Sequence, residues 1–435
     1  MSLLPDPICA PATPLFPSAV AVVRVSGPGL QSVLAPLLHL PAPRRAEVRT
    51  LHWGGFREKA LVLFFEAPAS YTGEDLVELQ VHGNPLLVRR LLAHLGSLGV
   101  RPAEPGEFTR RALCNGKQGL LEAEALGDLV AAETDTQLRL AQARAGAQPL
   151  WIKEGRALLT PWMARAEAVV DYGEEEGIAL NLDELKIELS DLCTRFHVEQ
   201  SRCRAARHLR DGIRLALVGR PNAGKSALFN ALAGEDRAIV TDTPGTTRDV
   251  LEVRCEWRGL PLRLFDTAGV RATQDPLESL GIARVAPVLE AADLVLHLLP
   301  TQDAEVDPAL AAALAPFVGK VLEIRTFGDL GTAPGTVVSA LTGDLDALEE
   351  ALRERLLGGL APDACFGALA TERQSALLAD LVRQVELLLG LPAECPPELP
   401  ASLLQGVWAL LARLTGEDRT DTALDALFQG FCLGK

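Results

Sequence analysis

The chain has 435 residues, of which 48% are hydrophobic and 23% charged, with a formal net charge of −15. That length exceeds what one core usually supports, so two or three domains are expected, and no apolar run of about eighteen residues is present to cross a bilayer as a helix. The acidic balance excludes general coating of nucleic acid, because phosphate is bound by Lys and Arg displacing counterions, so any RNA contact has to be local.

The start of the chain, MSLLPDPICAPATP, lacks the basic residues and the longer apolar core of a signal peptide, which places the protein in the cytoplasm. Residues 19–25, 61–65 and 76–81 read as strands and residues 85–98 as a helix, the pattern of a small α+β domain over residues 1–118. Residues 119–209 turn to Ala, Leu, Glu and Arg at helical spacing, and so do residues 356–435. These two pieces are expected to close one helical bundle around an inserted domain. Residues 210–355 alternate strands at 213–218, 262–265, 294–299, 321–325 and 336–338 with helical segments, as a βαβ domain does. The fold class read from this order is multidomain α/β. Eight cysteines, at 9, 114, 193, 203, 255, 365, 395 and 432, show neither a CxxC pair nor metal-ligand spacing, and read as reduced, buried, small apolar residues.

Gly219 through Ser226 read GRPNAGKS, which matches GxxxxGK[ST] between an apolar strand and a helix. In such a loop the backbone N–H groups of Asn222, Ala223, Gly224 and the next turn, as far as Ala227, point at phosphate oxygens. Lys225 reaches the β and γ phosphates and the Ser226 hydroxyl ligates Mg²⁺. About forty residues on, Asp266, Thr267, Ala268 and Gly269 follow a strand, where the carboxylate can hold Mg²⁺ through water and the Gly269 N–H can meet the γ phosphate. Between the two motifs, residues 241–249 read TDTPGTTRD, a Gly- and Thr-rich loop suited to close over that phosphate and offer a hydroxyl to the metal.

A guanine-binding domain usually carries NKxD, but residues 326–329 read TFGD and only Asp329 keeps the pattern. Its carboxylate can accept from guanine N1–H and the exocyclic amine. Thr326 is too short to replace the Asn fully, whereas Phe327 can replace the Lys stem by stacking. GTP is therefore expected to be favoured over ATP, with GDP bound more weakly than by a relative with NKxD. Ser339 and Ala340 can place a backbone N–H on the guanine carbonyl. Val270 occupies the place of a water-orienting Gln and has no hydrogen-bonding group, so Glu278 is the candidate to orient the water, with a solvated helix residue as the alternative.

These motifs, with VVRVSGP, SYTGEDLVELQVHGNP, PGEFTRRALCNGK and the terminal FCLGK, resemble the MnmE (TrmE) family of tRNA wobble-uridine modification GTPases over nearly the whole chain. The resemblance implies an N-terminal domain that binds 5-formyltetrahydrofolate or a related folate and mediates homodimerisation, a helical domain, and an inserted Ras-like GTPase domain. It implies Arg24, Glu78, Lys117 and Lys435 as folate-site residues. It also implies K⁺ in place of an arginine finger, with Asn222, Thr241, Thr243 and Thr246 as ligands and Thr247 on Mg²⁺. The implied partners are an MnmG (GidA) flavoprotein and transfer RNA, with an aminomethyl-type group installed at carbon 5 of the wobble uridine. Cys432 is singled out too, its thiol three residues from Lys435; whether it is a nucleophile stays open.

The chain departs from the family pattern at residues 15–18, where a glycine-rich turn is usual, and at Asn84, where a glycine is usual. Both lie near the implied folate pocket. Two rival readings are an Era-like, GTP-regulated ribosome assembly factor, which would lack the folate-like module and the FCLGK tail, and a non-hydrolysing scaffold suggested by the altered NKxD. Arg110, Arg111 and the series Arg202, Arg204, Arg207 and Arg210 are candidate RNA contacts, with a solvated helix face as the alternative.

Overall fold

The computed structural model describes residues 6–146, 148–176, 180–234, 251–266, 286–303, 307–417 and 434. The chain divides into two compact units, Met1–Gly127 with Ala412–Lys435, and Asp128–Leu411.

The first unit is built on a six-stranded sheet of β1 (Ile8–Pro11), β2 (Ser18–Ser26), β3 (Ala46–Trp53), β4 (Phe56–Phe65), β5 (Leu76–Gly83) and β6 (Arg101–Pro102), in the order β3-β4-β5-β2-β1-β6. All neighbours are antiparallel except β1 and β6. Alternation decides the faces. Cys9, Val23, Val25, Val77, Leu79 and Val81 join a core with Val88, Leu91 and Leu95 of the helix Pro85–Ser97, while Ile8 and Ala10 join Ala103 and Phe108. Asn84, which departs from the family glycine, caps this helix: its side-chain oxygen accepts from the backbone N–H groups of Leu86 at 2.9 Å and Leu87 at 3.2 Å. Pro85 supplies a first helical residue that has no N–H to satisfy.

Arg111 lies at 1% exposure, donating to Glu74 and Glu107 at 3.0 Å each and to the Asp6 carbonyl at 3.1 Å. It is a buried structural cation, so the RNA-contact expectation for Arg111 is withdrawn. The arginines of the helix Leu182–Asp211 are less buried but partly engaged. Arg202 donates to the carbonyls of Ala364 and Phe366, Arg210 pairs with Asp128, and of the four only Arg204 is exposed.

In the second unit, a six-stranded sheet runs β12-β11-β10-β7-β9-β8, from β7 (Ile213–Gly219), β8 (Leu251–Trp257), β9 (Leu260–Asp266), β10 (Leu294–Pro300), β11 (Val321–Thr326) and β12 (Thr336–Val337). Every pair is parallel except β8 with β9, which are joined by Arg258 at φ 49° and Gly259 at φ 77°. Two successive positive φ values match the right-handed twist of a hairpin. Leu140 of Asp135–Ala145, Ala206 and Leu209 of Leu182–Asp211, and Leu352 of Asp346–Leu357 share one buried cluster with Leu215, Leu264 and Leu296 of the sheet. Helices and sheet in this unit therefore have a common core.

Asp128 takes Arg210 at 2.6 Å and also pairs with Arg144, which is 7% exposed and donates to Gln374 at 3.3 Å. Gln374 in turn completes the capping box of Glu372–Leu389 with Thr371. Asp128→Ala strands a buried guanidinium and should lower unfolding stability by about 3–5 kcal/mol. Denaturant titration checks it; a change below about 1 kcal/mol would show that water replaces the carboxylate.

Burial pushes the thiols of Cys9, Cys203, Cys255 and Cys365 up to about 11. Cys114 is exposed. At pH 8 a thiol of that pKa is ionised in about one molecule in a thousand, so these four should resist an aromatic disulfide reagent that labels Cys114 within minutes. Peptide mapping of the labelled native protein tests this, and rapid labelling of Cys203 or Cys255 would contradict the packing described.

Candidate nucleotide and N-terminal sites

Parallel pairing sets Leu298 against Gly219 and Pro300 against Thr326, while Leu217 faces Asp266 across β7 and β9. The carboxyl ends of these strands thus share one edge, the place where open α/β sheets bind ligands. The phosphate loop leaves β7 at Gly219, where a Cβ would stand 2.7 Å from the Leu298 carbonyl oxygen, so the β10 backbone demands glycine there. Asn222 follows at φ 63° and Gly224 at φ 88°, the latter heading the helix Lys225–Ala233. This helix leaves Ser226 and Ala227 exposed in its first turn, and Asn222 is also exposed. The Lys225 ammonium donates to the carbonyls of Gly219 at 2.8 Å and Arg220 at 2.7 Å, which folds its stem back over the loop. The first N–H groups of a helix, with a cation beside them, favour an anion. The donor set suits a polyphosphate.

Thr326, 4% exposed, donates its hydroxyl to the Ala223 carbonyl at 2.9 Å, so this short side chain braces the phosphate loop. Thr326 sits close enough because it ends β11 directly beside the loop. Phe327 is held at φ 60° by two bonds to its carbonyl, from the Thr301 hydroxyl and the Leu330 N–H, both at 3.0 Å. Asp329 is exposed and accepts from the Ser339 hydroxyl at 2.7 Å. Ser339 is buried at 3% exposure, with half-buried Ala340 next to it. Thr301 and the hydroxyl role of Ser339 were missed in the sequence, since neither stands in a motif.

Asp266 closes β9, but Thr267, Ala268, Gly269, Glu278, Thr241, Thr243, Thr246 and Thr247 lie outside the described residues. So do Cys432 and Lys435.

On the sheet of the first unit, Arg24 of β2 and Glu78 of β5 are direct cross-strand neighbours, and the guanidinium donates to Glu78 Oε1 at 2.8 and 3.2 Å. It also lies over the rings of Tyr71 and Phe108, with 5.6 and 5.8 Å to their centroids. Its remaining arm donates to the Gly434 carbonyl at 3.1 Å. Gly434 is buried at φ 89°, and a Cβ there would come within 2.3 Å of the Pro11 carbonyl oxygen. Gly434 therefore sits against the N-terminal sheet. Lys117, by contrast, is exposed and donates to the Pro68 carbonyl at 2.9 Å, away from the Arg24 cluster in its hydrogen bonding. The charge of Arg24 is thus met by a carboxylate, a backbone carbonyl and two aromatic rings at once.

Residues 7–117 match the family described as the GTP-binding protein TrmE N-terminus, and residues 120–432 match the MnmE helical domain. The tRNA modification GTPase MnmE of a Thermus thermophilus strain is 40% identical over 448 residues, covering 99% of this chain and 100% of the relative. Proteins of the same name from Acidiphilium cryptum (40% over 444 residues, 100% of each chain) and Methylorubrum populi (41% over 455 residues, 99% and 98%) are similar to the same extent. A solved structure, the G domain of the T. maritima FeoB iron transporter, shares 25% identity over 34% of this chain and 98% of its own, with a TM-score of 0.24. With both family descriptions matched in order and relatives aligned from end to end, the chain belongs to the MnmE (TrmE) family.

Proposed function

We propose that this protein hydrolyses GTP and acts in the modification of transfer RNA, as the name of its relatives states of them. The observation that carries the GTPase reading is the phosphate loop braced to the Asp329 turn, which sets a polyphosphate cradle and a guanine-edge acceptor on one sheet edge. Lys225 and the first-turn N–H groups bind and orient the phosphates, and Ser226 and Thr247 would hold Mg²⁺, whose charge neutralises the β and γ oxygens. Asn222 with Thr241, Thr243 and Thr246 would hold K⁺ beside them. Asp266 would hold Mg²⁺ through water and, past Thr267 and Ala268, the Gly269 N–H would meet the γ phosphate, while Glu278 would orient the attacking water.

In the same reading, the parts are the folate-binding and dimerisation domain 1–118, the helical segments 119–209 and 356–435, and the Ras-like GTPase domain 210–355. Arg24, Glu78, Lys117 and Lys435 take the 5-formyltetrahydrofolate, a reading supported by the bond from Arg24 to the Gly434 carbonyl next to the terminal Lys435 in sequence. Working as a cytoplasmic homodimer with an MnmG flavoprotein, the protein would install an aminomethyl-type group on carbon 5 of the wobble uridine. Among the described residues no helix is long and apolar enough to cross a membrane.

Nucleoside analysis of transfer RNA from a strain lacking this protein tests the substrate; an unchanged wobble uridine would remove it. GTP hydrolysis should be much faster in K⁺ than in Na⁺, and equal rates would remove the K⁺ ligands. Glu278→Ala should lower turnover about a hundredfold or more with nucleotide affinity nearly unchanged, because a water-positioning group acts in the transition state. A parallel loss of GDP binding would assign Glu278 to structure instead. Deleting residues 432–435 should abolish modification of tRNA and spare hydrolysis, whereas an equal fall in both would place the tail in the service of the fold.

A further inference from the structure

The departure of residues 326–329 from NKxD leaves a question of chemistry that the geometry answers. An Asn amide has two N–H donors, so it can brace the phosphate loop and still offer a hydrogen to the base; a Thr hydroxyl has one. That one is committed. Ala223 is buried, Thr326 Oγ1 lies 2.9 Å from its carbonyl oxygen, and leaving such an acceptor unpaired is costly.

Resting on the guanine reading above, we propose that Thr326 is the positioning residue joining the phosphate loop to the base turn. The base is then recognised by an aromatic wall at Phe327 and one carboxylate at Asp329, without a donor from Thr326 to the purine N7. Phe327 is set for this. A Cβ on Gly224 would stand 3.5 Å from both the tip of the Phe327 ring and Thr326 Cβ, so the ring borders the glycine that heads the phosphate-binding helix. The ring is half-buried, which leaves it a surface on which a base can stack. Its backbone is held in the left-handed region by Thr301 Oγ1, Leu330 N–H and the Gly328 N–H bond to the Val338 carbonyl at 3.0 Å. Such a conformation persists in a non-glycine residue only where its surroundings over-determine it. Two residues on, the Ser339 hydroxyl holds one oxygen of Asp329 at 2.7 Å and leaves the other to accept from the Watson–Crick edge of guanine. The site so built takes flat purine rings, reads the N1 and amino edge, and is indifferent to N7.

Calorimetric binding to the full chain tests this, with GDP, 7-deaza-GDP, ADP and CDP as probes. Wild type should bind 7-deaza-GDP within about twofold of GDP. Thr326→Val, which keeps the shape and removes the hydroxyl, should weaken GDP about threefold to tenfold, and Thr326→Ser should restore it. Phe327→Ala should weaken GDP and 7-deaza-GDP equally, by about fivefold to a hundredfold, while Phe327→Tyr keeps both. A wild type more than about tenfold weaker for 7-deaza-GDP would overturn the proposal, as would a Thr326→Val protein equal to wild type. In either case tight GDP binding would leave the guanine reading standing. ADP held as tightly as GDP would show that Asp329 does not read the base and would sink the guanine reading on which the proposal rests; CDP held as tightly as GDP would overturn the aromatic wall as well.

Discussion

Parallel pairing of β7 with β9 and β10, and of β10 with β11, is the constraint on which the nucleotide site depends. It carries Gly219, Asp266, Pro300 and Thr326 to one sheet edge, although they are spread over more than a hundred residues of chain. Each turn that leaves this edge is then shaped by its neighbour. The β10 carbonyl of Leu298 excludes any side chain at Gly219, and Thr326 bonds the loop that Gly219 begins. Lys225 closes the loop from within by bonding the carbonyls of Gly219 and Arg220.

The first unit uses cross-strand pairing in a comparable way. Antiparallel register sets Arg24 opposite Glu78, and alternation turns both away from the core that the helix Pro85–Ser97 covers. The aromatic neighbours Tyr71 and Phe108 then shield the guanidinium, which strengthens its bonds to Glu78 and to the Gly434 carbonyl. Gly434 thereby becomes part of the surroundings of a residue near the beginning of the chain.

Buried charge holds the supporting scaffold. Arg111 in one unit, and Asp128 with Arg144 and Arg210 in the other, are ion pairs whose geometry is satisfied by several partners each. Such groups do little for stability when compared with apolar packing, but an arrangement that fails to pair them is strongly disfavoured, so they select one packing of the helices. In the helix Leu182–Asp211, bonds to Ala364, Phe366 and Asp128 also tie down Arg202 and Arg210, which stay half-buried.

The sequence by itself determined the phosphate loop, the α/β order of the second sheet and the family, because GRPNAGKS and the terminal motifs are local patterns whose chemistry depends on adjacent residues. Strands with mostly apolar runs, such as Ile213–Gly219 and Leu294–Pro300, were legible for the same reason. The strands β3 and β8 were not, since AEVRTLHW and LEVRCEW interrupt their apolar residues with charged ones and become strands by pairing with β4 and β9. Tertiary structure alone decided that Thr326 reaches Ala223, that Arg111 is buried and that Gly434 sits against Pro11. Each of those is a contact between residues far apart in the chain, fixed by strand register and core packing, and no periodicity within a short window records it.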